Sequence, residues 1–351
     1  MRRALRLARR GIGTTHPNPR VGAVIVAGGE IVGEGWHERP GLPHAEIIAL
    51  QQAGARARGA TLYVNLEPCA AHGRTPPCTA AICAAGIRRV VFGSGDPNPH
   101  MAGGGAVLRE QGIEVTGHVL QGQADALNRP FFHFMRTSRP FVLAKAAVSL
   151  DGRLATAGGQ SQWISGAASR RHAHGLRAEA DAILIGANTL NQDNPSLTVR
   201  HARRYGAPPL RVVMCSSTPA FDDTYRLADG DAPSRLYVAR RGMEAGAWQD
   251  AGVDVVVADG PQAVLRHLAR EGRLAVLLEG GGRLHATFFA SQLVDELVLY
   301  QAPILIGGEG GYNLWQGPGI DALTQAPRLA DIQRRRLGED QMIRGCLVYP
   351  E

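Results

Sequence analysis

The sequence predicts an α/β protein of two domains, and three observations carry that prediction. Apolar, strand-like runs alternate with helical stretches along nearly the whole chain. The 351 residues exceed what one ordinary core organises. The aromatic segment "ALNRPFFHFMRTSRP" ends at Pro140, which breaks a helix and precedes a fresh strand. The boundary is therefore expected near 138 to 142, giving domains 1–138 and 139–351.

The first half opens on an arginine-rich stretch, "MRRALRLARRGIG". It imitates an import presequence, but Ala4, Leu5, Leu7, Ala8 and Ile12 also suit an amphipathic helix packed on a domain, which is the reading preferred here. Strands follow at "VGAVIVAGG" and "EIVGEGW", a helix from 44, a strand at "ATLYVNL", and a helix from about 76. "RRVVFGSG" and the shorter "GIEVTGHVL" complete a largely apolar sheet. In the second half, strands are expected at 141–149, "DAILIG", "RVVMC", "RLYVAR", "VDVVV", "RLAVLLEGGG", "ELVLYQAPILIGG" and near 341–349, with helices at 166–178 and 261–271. No internal repeat or low-complexity tract interrupts the pattern.

Composition narrows the function classes. With 44% hydrophobic and 20% charged residues the chain reads as a soluble globular protein, and no apolar run approaches membrane-spanning length. The net charge of +7 suits phosphorylated small molecules and dinucleotides as well as nucleic acid. Aromatic residues are only 5% and no basic tract is interleaved with them, which argues against single-strand binding by base stacking. Five cysteines, at 69, 78, 83, 215 and 346, form no secreted disulfide framework in a chain this long, so the cytoplasm is the expected compartment. Homo-oligomerisation is left open.

The chemistry begins at "LPHAEIIAL". Alone, His44 and Glu46 describe an ordinary helix start, with Pro43 in the first turn and an acid against the positive end of the dipole. The downstream segment "NLEPCAAHGRTPPC" changes that reading, because it adds Cys69 and Cys78 at the end of a strand and the start of a helix. One imidazole and two thiolates leave a tetrahedral Zn²⁺ one open position, as a hydrolytic site needs. Glu46 is then no ligand but the group that moves protons beside the metal, the division of labour of zinc deaminases with their H-x-E and P-C signature. Cys83, inside the following helix, reads as a buried structural thiol. His72 and Arg74 lie in the loop between the two cysteines, within reach of a substrate.

In the second half, "LLEGGGRLHATFFA" is a strand, a glycine run and a helix whose N-terminal amides suit pyrophosphate oxygens, although the spacing is not that of a Rossmann fingerprint. Arg177 and Arg200 flank "AILIGANTLNQDNPSLTVR", and paired arginines suit a phosphate monoester bidentately. Solvated surface arginines are the plainer alternative.

The segments "HPNPRVGAVIV", "HERPGLPHAE", "LEPCAAHGRTPPC" and "GDPNPHMAGGG" together resemble the bifunctional deaminase–reductase family of riboflavin biosynthesis. So do "RPFVLAKAAVSLDGRLA", "SQWIS", "LRAEADAILIGANTLNQDNPSLTVR" and "LLEGGGRL" for the reductase half. The resemblance implies an N-terminal cytidine-deaminase-like three-layer α/β/α domain and a C-terminal dihydrofolate-reductase-like α/β domain. It implies zinc on His44, Cys69 and Cys78, Glu46 as proton shuttle, and Asn18 and His37 against the pyrimidine. It further implies that NADPH contacts Ala147, Trp163, Thr189, Asp193, Ser216, Gly281, Gly282 and Arg283. The substrate would contact Ser161, Arg177, Leu197, Arg200 and Glu279. Lys145 and Asp151 fall near the expected reductase pocket, closure of the "SLDGR" turn being the alternative role for Asp151. Two departures from the family pattern stand out: Ala71 replaces a histidine, and Cys215 replaces a common aspartate.

The implied activity is hydrolytic deamination of a diaminopyrimidinone carrying a ribosylamino 5′-phosphate, then reduction of ribosyl to ribityl with NADPH. The expected partner is that phosphorylated pyrimidine, with neither nucleic acid nor membrane.

Overall fold

Chain contacts divide this computed structural model, which describes residues 1–72, 76–308 and 311–350, into two units. Met1–Ser138 with Tyr205–Ala207 form the first, and Arg139–Arg204 with Pro208–Glu351 the second.

The first unit runs α1 (Arg2–Ala8), β1 (Gly22–Ala27), β2 (Glu30–Trp36), α2 (Ala45–Ala53), β3 (Thr61–Leu66), α3 (Cys78–Ala84) and β4 (Arg89–Ser94). It continues through α4 (Gly104–Glu110), β5 (Glu114–Thr116), α5 (Gln121–Leu127) and α6 (Arg129–Thr137). The sheet order is β2-β1-β3-β4-β5, with β1 antiparallel to both neighbours and the rest parallel. Ala45, Ala49 and Ala53 of α2, Ile82 of α3 and Leu108 of α4 pack on one face of it with Ile25, Leu62, Val64 and Val90. Ala4 and Leu7 of the arginine-rich α1 cover Val24 on the other. Helices on both faces make three layers, and the preferred reading of "MRRALRLARR" as a packed helix holds.

Small residues let α2 approach closely. A side chain at Gly33 or Gly35 of β2 would collide with the backbone carbonyls of Ala49 or Ala45, so glycine on the strand and alanine on the helix seat α2 directly on the sheet. That contact fixes where the helix begins, and hence where His44 and Glu46 stand.

The second unit comprises β6 (Phe141–Val148), α7 (Ala167–Glu179), β7 (Ala182–Gly186), α8 (Ala187–Asp193), β8 (Leu210–Ser217), β9 (Ser234–Arg240) and α9 (Ala245–Asp250). It ends with β10 (Val253–Val257), α10 (Gly260–Arg270), β11 (Ala275–Leu278), α11 (Gly282–Ala290), β12 (Glu296–Gln301), β13 (Arg328–Leu337) and β14 (Asp340–Val348). Its sheet order is β10-β9-β8-β7-β11-β6-β12-β14-β13, parallel from β10 to β12 and antiparallel at the β14–β13 end. The central strands are apolar on both faces, as a sheet covered by helices requires. Strand β13 escapes sequence reading because "RLADIQRRRL" is an exposed edge strand, where charge blunts unwanted pairing and erases the apolar signal. No helix of the described residues is long and apolar enough to cross a membrane.

Candidate active sites

In the first unit, His44 caps α2 in an extended conformation and Glu46 lies in the first turn. Cys69 follows β3, and Cys78 is the first residue of α3. The fold brings these 25- and 34-residue separations together: His44 Nδ1 lies 3.7 Å from Cys69 Sγ and 3.2 Å from Cys78 Sγ. The three donor atoms lie within 4.8 Å of one another, the only such metal-ligand group among the described residues. The Cys78 backbone N–H donates to Cys69 Sγ over 3.2 Å, so the opening amide of α3 favours a thiolate there. Hydrogen bonding from the Cys78 thiol and from His44 holds Cys69 down at about 4, while the Cys78 thiol is pushed up by the hydrogen bond it donates to Cys69 and by burial. A single divalent cation among the three relieves this sharing of one proton, so the donor set fits zinc.

Glu46 is 3% exposed and its Oε2 has no hydrogen-bond partner. Burial pushes its carboxyl up from the ordinary range. An unpartnered buried carboxylate oxygen is costly unless something is meant to meet it. It opens into a cavity of about 430 Å³ lined by Asn18, His37, His44, Glu46, Cys69, Ala71, Asp96, Asn98 and Phe131, among others.

Asn18 and His37 act as a pair. His37 Nδ1 lies 3.2 Å from the Pro43 carbonyl and so carries its proton there; Nε2 then accepts from the Asn18 amide at 3.1 Å. Burial pushes the His37 pKa down, consistent with that neutral form. Ala71 also lines the cavity, whereas His72 is exposed and outside its lining, and Arg74 lies outside the described residues. Cys83 is half-buried against the apolar core, as a structural thiol should be.

Sequence reasoning gave no role to Asp96 and Asn98. Asp96 donates its backbone N–H to Glu67 Oε2 and accepts from the Asn98 N–H, and burial lifts its carboxyl to about 6. The signal was present in "GDPNPH", but nothing local shows that β4 ends over the zinc-ligand cluster.

In the second unit, the C-terminal ends of parallel strands β6, β7 and β11 open into a cavity of about 730 Å³. Ala147, Trp163, Thr189, Asp193, Gly281 and Gly282 line it, as do Ser161, Arg177, Leu197, Arg200, Glu279 and Lys145. Ser216 and Arg283 do not: Ser216 is exposed at the end of β8, and Arg283 is exposed on α11. Gly281 caps α11, pointing its first-turn amides at the cavity mouth. Asp151 is a loop staple outside the lining, accepting from Ser149 Oγ and from the Ile306 and Gly307 N–H groups. Cys215 is half-buried, and burial pushes its thiol up to about 12, so it offers no anion to a cofactor.

Arg177 is already committed. Its Nε and one terminal nitrogen bind both oxygens of Glu279 at 2.8 and 2.7 Å, and the other donates to the Thr198 carbonyl. Burial alone would raise the Glu279 carboxyl, yet Arg177 and Lys145 together hold it at about 2. The guanidinium of Arg200, by contrast, makes no hydrogen bond or ion pair among the described residues. A phosphate clamp using both arginines alike is not what the geometry offers.

Comparison with known proteins follows the same division. The family described as "RibD C-terminal domain" matches residues 140–343, and the "Cytidine and deoxycytidylate deaminase zinc-binding region" matches 1–94. The chain is 42% identical to riboflavin biosynthesis protein RibD of Bacillus amyloliquefaciens, covering 97% of this chain and 93% of that protein. The chain belongs to the RibD family. Escherichia coli (strain K12) RibD is 39% identical over 97% of this chain and 96% of its own. Among solved structures, Acinetobacter baumannii RibD superposes with a TM-score of 0.86 at 34% identity, covering 99% and 97% of the two chains. A diaminohydroxyphosphoribosylaminopyrimidine deaminase/5-amino-6-(5-phosphoribosylamino)uracil reductase from Thermotoga maritima gives 0.87 at 31% identity, again over 99% and 97%. As a RibD protein the chain is a bifunctional deaminase and reductase of riboflavin biosynthesis, with zinc and NADPH as its cofactors. Its first half has the cytidine-deaminase-like fold and its second the RibD reductase fold.

Proposed function

We propose that the first cavity removes the 2-amino group of 2,5-diamino-6-ribosylamino-4(3H)-pyrimidinone 5′-phosphate by hydrolysis, and that the second reduces the ribosyl chain of the product to ribityl. The observation that carries the reading is the His44–Cys69–Cys78 donor set with the unpartnered Glu46 Oε2 facing the same cavity. Zinc held by those three side chains supplies the Lewis acidity that makes water a nucleophile near neutral pH. Glu46 takes one proton of the attacking water at Oε2 and passes it to the ring nitrogen, then carries the second, from the added hydroxyl, to the amine, which departs as ammonia. The Asn18–His37 pair, fixed by the Pro43 carbonyl, holds the pyrimidine edge, and Asp96 and Asn98 line the same cavity.

In the second cavity, the loop from Gly281 holds the cofactor's phosphates through the amides of α11, while Ala147, Trp163, Thr189 and Asp193 flank its nicotinamide end. Ser216 and Arg283 lie along the same C-terminal edge of the sheet, where a dinucleotide extending past the cavity meets them. Ser161, anchored on Asp193, and Leu197 shape the substrate side. Arg177 holds Glu279 in place, and Arg200 takes the phosphate. The partner is thus a phosphorylated pyrimidine and not nucleic acid, handled in the cytoplasm.

Two measurements test the reading. The purified chain should release ammonia from the diaminopyrimidine without NADPH, and oxidise NADPH only once the deaminated intermediate is present. NADPH oxidation with the aminated substrate and no prior ammonia release would sink the proposed order. Cys78→Ser is expected to lower bound zinc sharply, since only one thiolate and one imidazole remain, whereas Cys83→Ser leaves it near one per chain. Metal analysis showing the reverse ordering would remove Cys78 from the ligand set.

A further inference from the structure

His174 stands among the cations of the reductase cavity. It lies on α7 one turn before Arg177 and lines the cavity with Arg177, Arg200, His201 and Arg226. Its Nδ1 accepts the backbone N–H of Arg200 at 3.1 Å, across 26 residues of sequence. The His201 ring meets it edge-on, with centroids 5.3 Å apart. An imidazole nitrogen that accepts an amide proton carries none itself, so the ring proton is on Nε2. That Nε2–H has no hydrogen-bond partner among the described residues.

Protonating the ring would break the bond to Arg200 and set a third cation beside Arg177 and Arg200. Burial first, and then those two guanidinium groups, accordingly push His174 down to about 4. The imidazole is therefore an uncharged donor fixed by the same loop that carries Arg200.

We propose that His174 is a recognition residue for the substrate phosphate, its Nδ1 fixing the backbone of Arg200 while its Nε2–H donates to a phosphate oxygen. The proposal rests on the reading that the phosphate seats at Arg200. Arg200 supplies the charge, and His174 supplies direction without adding to the repulsion among neighbouring cations. A lysine or arginine in its place would lack the acceptor that holds the loop.

The experiment is steady-state reductase kinetics of the full chain with NADPH, using the deaminated intermediate and its dephosphorylated riboside. Wild type should prefer the phosphorylated form, and Arg200→Ala should raise KM for that form about ten- to a hundredfold, the usual size of a hydrogen bond to a charged group. His174→Ala should raise the same KM about tenfold, with kcat and the riboside KM nearly unchanged. His174→Asn keeps an acceptor where Nδ1 was but has no Nε2–H, so its KM should fall between wild type and His174→Ala. If wild type does not prefer the phosphorylated form, or Arg200→Ala loses equally on both substrates, the phosphate assignment itself fails. If wild type prefers the phosphorylated form and Arg200→Ala loses on that form alone, but His174→Ala keeps the wild-type KM or loses equally on both substrates, the His174 proposal fails alone. His174→Asn at the wild-type KM would overturn the donor half of it.

Discussion

Glu46→Gln is expected to keep zinc and lose deamination by about 10²–10⁴-fold, the range for removing a positioned general acid–base. The substitution is nearly isosteric and leaves His44, Cys69 and Cys78 untouched, so metal content should not change. Glu46 is 3% exposed and its Oε2 is unpartnered, so a neutral amide there costs that oxygen no bond, and melting should stay close to wild type. NADPH-dependent reduction of supplied deaminated intermediate should continue at the wild-type rate. Ammonia release, metal analysis and a reductase assay on one preparation make the comparison. Near-normal ammonia release would strip Glu46 of its role. Loss of zinc together with activity would make it a support of the metal site instead.

The deaminase ligands were legible because each carries its own local mark. "HAE" at a helix start and "PC" after a strand are chemically odd where they stand, and the fold only had to bring them together. Asp96 and Asn98 carry no such mark, since Asp-Pro-Asn-Pro is also ordinary turn chemistry. The reductase was harder to read for a related reason. Its cavity is assembled from the ends of several strands, so each lining residue looks unremarkable in its own segment. Arginines 177 and 200 are indistinguishable in sequence. The fold separates them by placing Glu279, 102 residues away, against the first and leaving the second open. His174 acquires its interest in the same way, from one backbone amide of a distant loop.

That separation makes Arg177→Ala the second large effect. The Arg177 and Glu279 side chains are 14% and 9% exposed, so removing one leaves a nearly buried carboxylate without its main partner. Breaking such a pair costs about 3–5 kcal/mol, well beyond an exposed ion pair. The pH dependence follows from the Glu279 carboxyl, which the pair holds at about 2, below its unfolded value. The stabilisation is fully present above the unfolded carboxylate pKa of roughly 4.3 and is lost as pH falls towards 2. The melting gap between wild type and Arg177→Ala should therefore be widest near neutral pH and close on acidification. Arg177→Met combined with Glu279→Gln removes both charges and should recover most of the lost stability, while reductase turnover is expected to fall because Glu279 no longer presents a carboxylate to the cavity. Melting of the full chain, followed through the transition that carries reductase activity, measures all three. If the single variant melts like wild type but its KM for the phosphorylated intermediate rises, Arg177 binds phosphate directly and its assignment to Glu279 must be withdrawn.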